Sequence, residues 1–474
     1  MKRILLILIS ALSFSVHGQQ IQWASKLIKY SSDLGGKQYG IKRILGKPDV
    51  FPQAGNSPNA WNPKNALDGY EIVEVGFEKP QSVKQVAVFE NLNAGCVVKI
   101  SVDTGDAKYK TVWTRKRDYR TPTFKATIPA DHAYYFKRKR RKIQEAPDVF
   151  NPGVELAVLE SVVSNVVAVK VEFNFALLPG QKQVDAIGIS DSDQPIDAEI
   201  NVGTEFKNIA AEKFPTLDSF QVLSLVVAPG GEKMLFTQQS EEKEMVYSVH
   251  KESARTWSIP KLEPKLSEYD NHNYVDFIKD DLIVKGGSVY RKASGETGYQ
   301  FFNLENGNYQ PKDQLMITAY ANYGDAAFLT ATTDLKTIVL AIESDFTQGG
   351  TDFYFTNRKE DGTYGLLQNM GKTINSADDD ISPQLLSDSK TLLFSSNGFS
   401  GFGGYDIYVS YRLDDTWKNW SEPINVGSDI NSLGYDGAPY YDETNEMLYF
   451  VTDLDGKSEV HFARIPKRTL MNHK

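Results

Sequence analysis

Carboxylates recurring through the second half of the chain are the side chains whose types and spacing could do chemistry. Asp325, Asp380 and Asp436 follow one another at intervals of 55 and 56 residues, with Asp378 and Asp379 beside the middle one. Acidic groups drawn from successive copies of one unit can gather the several hard oxygens that a cation wants. They also have a plainer use, because an Asp at the head of a tight turn accepts hydrogen bonds from nearby backbone N–H groups. The plainer use is the expectation here, and whether a metal sits among them stays open. Asp352 and Asp406, each closing a Gly-Gly-x-Asp sequence, are expected to fix their turns in the same way, with Gly401 to Gly404 supplying positive φ. The chain has no Ser nucleophile elbow, paired-His metal motif or phosphate-cradling loop. Its His residues stand at no ligand spacing, so no catalytic residue and no cofactor is expected. Cys96, the single cysteine, lies among strand-forming residues and reads as a buried, inert thiol. Trp417 and Trp420 read as packing between neighbouring sheets rather than as sugar platforms.

Two further groups are candidates for binding. Asn56, Asn59, Trp61 and Asn62 place an aromatic ring among amides on a loop rich in Pro and Asn, a combination suited to a sugar. Lys137, Arg138, Lys139, Arg140, Arg141 and Lys142 form a basic run that could meet an acidic partner surface or an anionic polymer. The competing readings are a loop anchor for Trp61 and a solvated loop for the run.

The elements that must carry these residues are legible from self-similarity. Gly349-Gly350-Thr351-Asp352-Phe353-Tyr354-Phe355 lies 54 residues before Gly403-Gly404-Tyr405-Asp406-Ile407-Tyr408-Val409. Ile374-Asn375-Ser376 and Asp380-Ile381-Ser382-Pro383 each recur 56 residues later. A period of this length marks supersecondary units that cannot bury their apolar faces alone. Short alternating strands within each unit make it a propeller blade. Units open near Ser224, Tyr274, Asp325, Asp380 and Asp436, so five blades are expected, with six as the alternative. The last unit ends near Ile465 one strand short. Ile200-Asn201-Val202-Gly203 matches Ile424-Asn425-Val426-Gly427, so the strand near Ile200 is expected to complete the fifth blade. The unit with Asp-x-Ser-Pro at its head and Gly-Gly-x-Asp-Ile-Tyr in its third strand resembles the TolB-like propeller repeat.

Residues 19 to 194 precede the repeats. Alternating segments at Glu71 to Phe77, Val83 to Phe89, Val97 to Val102, Ala168 to Phe173 and Val184 to Ile189 predict strands, and Gln38 to Leu45 a helical turn. Short strands with turns between them predict a jelly-roll sandwich. Trp23-Ala24, Tyr30-Ser31-Ser32, Gln38-Tyr39, Leu45-Gly46-Lys47-Pro48-Asp49-Val50, Ser57-Pro58-Asn59-Ala60-Trp61, Val75-Gly76-Phe77 and Gln183-Val184-Asp185-Ala186-Ile187-Gly188-Ile189 together resemble a galactose-binding-like, discoidin-type sandwich. That resemblance implies ligand contact through loops at one end of the sandwich, where Trp61 lies. It departs from the pattern in an insertion spanning Arg115 to Gly153, which holds the basic run.

The remaining features set the compartment. Lys2-Arg3 followed by an apolar run to Leu12 reads as a signal peptide over residues 1–18, too short to span a bilayer. The expected order is therefore signal peptide 1–18, sandwich 19–194, propeller 195–466 and a basic tail 467–474, with no transmembrane segment in the mature chain. A net charge of −9 makes nucleic acid a poor partner. Relatives of this kind in bacterial envelopes often carry an OmpA-like domain after the propeller, which is not expected here, so peptidoglycan anchoring is not carried over. The resemblance implies an exported protein of the periplasm or outer membrane, a non-enzymatic scaffold for envelope proteins. It extends to an association with type IX secretion or gliding machinery. The alternative is a glycan binder working through the sandwich, and the third reading is a propeller-borne hydrolase or lyase.

Overall fold

The structure, a computed structural model, describes residues 19–126 and 151–471 apart from 240–243, 254–255, 269–273, 280–281, 287–294, 325–326 and 455. The signal-peptide segment, the basic run 137–142 and Asp325 lie outside the described residues.

Two long strands organise the first module. Its strands are β1 (Ile21–Trp23), β2 (Lys26–Tyr30), β3 (Tyr70–Glu90), β4 (Val97–Asp103), β5 (Lys110–Thr114), β6 (Gly153–Asn174) and β7 (Ala186–Ser190). The first half of β3 pairs with β2 and with the second half of β6, which also carries β4. The second half of β3 pairs with β7 and with the first half of β6. Both strands bend where their register shifts, between Gly76 and Gln85 on β3, and the sheet becomes two layers. Val73, Val75, Val86, Val88, Val169, Val171 and Ile187, drawn from both halves, share one core. This agrees with the expected sandwich. The segments Glu71 to Phe77 and Val83 to Phe89, expected as separate strands, are instead the two halves of β3, joined through Lys79-Pro80. Proline lacks an N–H to give to the ladder, and it stands where pairing with β6 lapses.

Five four-stranded antiparallel sheets follow. Their innermost strands are Val222–Val227, Val275–Lys279, Phe328–Ala331, Asp380–Leu385 and Tyr435–Asp442, for blades 1 to 5. Apolar side chains on facing sheets interlock, as where Phe353 of blade 3 meets Phe394 of blade 4 edge-on at 5.2 Å. The fifth blade is completed from the N-terminal side, but the strand is not the one near Ile200. It is β8 (Ala211–Lys213), in register with Ala463, Phe462 and His461. Ile200-Asn201-Val202-Gly203 instead runs parallel to its own look-alike along blade 4, where Asn425 N donates to Asn201 O at 2.8 Å. Blade 4's outermost strand is only Ile424–Asn425. It leaves open an edge that the segment covers before Phe206 turns it inward to blade 5.

The head of a blade has a consistent local geometry. Ser382 and Ala438, each the residue before a proline, have φ of +52° and +48°. The innermost strands of blades 4 and 5 bulge at these points. The basic tail begins with one helical turn, Lys467–Leu470, whose Leu470 is buried in the core shared with blades 4 and 5.

Candidate functional site

The carboxylates that drew attention in the sequence hold the blades together. Asp406 accepts from Phe402 N at 2.6 Å, Gly403 N at 3.1 Å and Asn425 Nδ2 at 2.7 Å. Asn431 then bonds Asn425 and clamps both backbone polar groups of Ile407. Blade 3 repeats this network with Asp352, Asn369, Asn375 and Phe353. The Gly-Gly-x-Asp and Ile-Asn sequences are therefore two halves of one hydrogen-bonded unit. At the blade heads, Asp380 accepts from Ser376 N at 2.7 Å, and Asp436 accepts from Ser432 N. No cluster of three or more His, Cys, Asp or Glu suited to a metal occurs among the described residues.

Gly401, Gly403 and Gly404 do not supply positive φ as expected. A Cβ on Gly403 would lie 2.4 Å from Ser432 O, and one on Gly349 would lie 2.3 Å from the carbonyl carbon of Ala377. Glycine is needed there because one blade's loop presses against the backbone entering the next blade. Tyr274, Pro383, Pro439 and Tyr440, at or beside the innermost strands of blades 2, 4 and 5, line a pocket of about 20 Å³, room for roughly one water.

The sandwich loop expected to bind sugar faces inward. Trp61 is fully buried against Phe173, with ring centroids 6.0 Å apart, and its backbone pairs with Val184. Asn59 Oδ1 accepts from Ala377 N of the propeller at 2.9 Å. Asn56 accepts from Gln183 Nε2, and Asn62 N donates to Tyr39 O. These four residues do not converge on an open site, and Trp61 presents no face to a ligand. Trp417 and Trp420 are buried between blades 3 and 4, as expected. Cys96 is fully buried, with its thiol pushed up to about 12 by burial and by Glu90.

An open site exists elsewhere, where the two modules meet. The 3₁₀ turn Ile41–Ile44 and its flanks dock on loops of blades 3 and 4. Gln38 Nε2 donates to Ala377 O at 3.0 Å, Arg43 Nη2 to Gln348 O at 3.2 Å, and Gln53 Nε2 to Gly403 O at 2.7 Å. Ser400 Oγ donates to Phe51 O at 2.5 Å. Beside these contacts is a cleft of about 480 Å³, within the range of small-molecule sites.

Cations dominate the lining of this cleft. Lys37 and Arg43 are tethered to propeller carbonyls. Lys47 pairs with Glu422 across the rim at 3.3 Å. Lys42 and Lys372 are exposed and line opposite modules. Asp49 lies at the sandwich wall, where burial pushes it up to about 7, against the pull of Arg43 and with a further push from Glu422. Burial lowers the Arg43 guanidinium, while Asp49, Asp352 and Asp380 favour its charge. Glu199, Phe399 and Ser400 complete the wall. The sequence reading missed this site because its residues lie hundreds of positions apart. The one local signal was Lys37, Lys42, Arg43 and Lys47 clustered between glycines.

No protein-family model matches the chain, and no curated protein matches it. Among solved structures, it is similar to TolB from Acinetobacter baumannii at 12% identity, over 52% of this chain and 54% of that one, with a TM-score of 0.32. It is also similar to an alpha-L-arabinofuranosidase from Lactobacillus brevis, at 12% identity over 52% of this chain and 90% of that one, with a TM-score of 0.34. An oligogalacturonate lyase from Vibrio parahaemolyticus matches at 10% identity over 57% of this chain and 96% of that one, with a TM-score of 0.26. The propeller assignment therefore rests on the strand pairing itself. Among the described residues no helix is long and apolar enough to cross a membrane.

Proposed function

We propose that this is an exported, non-enzymatic binding protein of the bacterial envelope, in which a discoidin-type sandwich and a TolB-like propeller work as one body. The observation that carries the reading is the junction. Sandwich loops that a free ligand-binding module would present to solvent are hydrogen-bonded to blades 3 and 4. The fused modules offer a continuous outer surface and one charged cleft to partners. The acidic residues of the repeats support the same reading, since Asp352, Asp380, Asp406 and Asp436 each accept backbone N–H bonds that shape a blade. Envelope proteins are the first partner class, including those of type IX secretion or gliding machinery. Glycan binding is the second reading, favoured by the size and polarity of the cleft.

The test is cross-linking and affinity capture from native envelope with the full chain, alongside turnover assays on cell-wall and plant glycans. Retention of specific envelope proteins without turnover is expected. Glycan hydrolysis or elimination that is abolished by one carboxylate substitution would overturn the reading.

A further inference from the structure

The cleft between sandwich and propeller carries more than a general binding role. We propose that it is a site for an acidic sugar, a uronate-bearing oligosaccharide of one or two residues; this rests on the binding-protein reading above. Size comes first, since about 480 Å³ admits a ligand of that scale and no folded partner.

Charge comes second. Lys42 from the sandwich and Lys372 from the propeller are exposed cations facing one space. Neither side chain has a hydrogen bond or ion pair among the described residues. A carboxylate between them would be held from both modules at once. Their neighbours Lys37 and Arg43 are already directed to backbone carbonyls, so they contribute field rather than contact.

The acceptors decide between a sugar and a simple anion. Glu199 and Glu422, the latter paired with Lys47, share the same lining as the lysines. Carboxylates repel phosphate or sulfate, and a site built for either would have no use for them. They do accept hydrogen bonds from hydroxyls, and a uronate offers several hydroxyls beside its single negative charge. Phe399 and the hydroxyl of Ser400 on the propeller wall add a ring face and a further polar contact of the kind sugars use.

The experiment is calorimetric titration of the full-length protein with digalacturonate, with the uncharged digalactose, and with inorganic phosphate, each at low and high salt. Digalacturonate is expected to bind best and to weaken with salt. The double variant Lys42→Ala/Lys372→Ala should weaken it roughly tenfold, a modest sum for two partly exposed charge contacts. Glu199→Gln should weaken digalacturonate while leaving phosphate unchanged or improved. All three substituted side chains are exposed, so the fold is retained, and an unchanged melting temperature verifies it. Equal binding of phosphate and digalacturonate would make this a simple anion site and overturn the proposal. So would digalactose binding as well as the acid, or no heat with any probe. Loss of sugar binding in a protein that still captures envelope partners would sink this inference alone. Sugar binding without envelope partners would instead sink the scaffold reading.

Discussion

Replacing Asp406 with Ala should cost far more than an Asp-to-Ala change elsewhere on the propeller. Asp406 is 1% exposed and accepts three hydrogen bonds, two from loop N–H groups and one from the Asn425 amide. Alanine leaves all three donors without an acceptor. An unsatisfied buried donor costs about 1–3 kcal/mol. Phe402 N is partly reached by solvent, so the sum is expected near 3–6 kcal/mol. Asp406→Asn keeps the shape and loses one acceptor position, so about 2 kcal/mol is expected. Asp414 is a suitable control, because it too accepts several bonds, from Thr416 N at 2.8 Å and Asn419 Nδ2 at 3.0 Å, but is fully exposed. Denaturant unfolding followed by Trp fluorescence reports directly on this region, since Trp417 and Trp420 lie in the core between blades 3 and 4. The expected order is wild type, Asp414→Ala, Asp406→Asn, Asp406→Ala. If Asp406→Ala and Asp414→Ala unfold at the same denaturant concentration, the Asp–Asn–Asn unit is not what fixes the blade.

Three further outcomes are expected. Glu212→Pro places a residue without an N–H in the three-residue β8, beside the bond from Phe214 N to Val460 O; the ring should open at blade 5, read as faster proteolysis and a loss of about 3 kcal/mol or more. Gly403→Ala forces a Cβ to 2.4 Å from the backbone of the next blade, so it should destabilise strongly, whereas Gly365→Ala, whose Cβ would meet nothing nearer than 3.7 Å, should lower the melting temperature only slightly. Asp436 is held by one backbone donor and has a second buried oxygen with no partner, and burial raises it to about 7. A raised carboxylate stabilises the fold below its unfolded pKa and loses that contribution as pH climbs through 7. The melting temperature should therefore fall from pH 5 to pH 8, as this group gives up roughly 2–3 kcal/mol of stabilisation over that interval, and Asp436→Asn should flatten the slope.

Parts of this molecule that repeat were readable in the sequence, because repetition shows which residues do the same job. The Gly-Gly-x-Asp and Asp-x-Ser-Pro sequences announced blades, and their carboxylates serve turns as expected. Closure by an N-terminal strand was also readable, but the identity of that strand was not. Ile200-Asn201-Val202-Gly203 resembles blade 4's edge and packs beside it, while Ala211–Lys213 carries no sequence signature at all. A three-residue strand is specified by its partner rather than by its own residues. Trp61 shows the opposite limit, since a Trp among amides in a Pro-rich loop reads as exposed, yet the loop folds its ring into the sandwich core against Phe173. The cleft could not be read locally, because Lys42, Lys372 and Glu422 meet only after both modules are folded and joined.

The strand β8 also governs the order in which the protein can mature. Lys213, at its end, meets its ion-pair partner Glu459 across a sequence separation of 246. A nascent chain emerging N-terminus first holds one of the fifth blade's four strands throughout synthesis of the other four blades, and that strand has nothing to pair with. Loop closure over such a span is entropically slow, and open sheet edges invite wrong partners while it is incomplete. The first strand of the ring is thus also its last to be satisfied, and folding should behave as a late, all-or-none event. A chain of this design gains from being kept unfolded until its C-terminal strands are available.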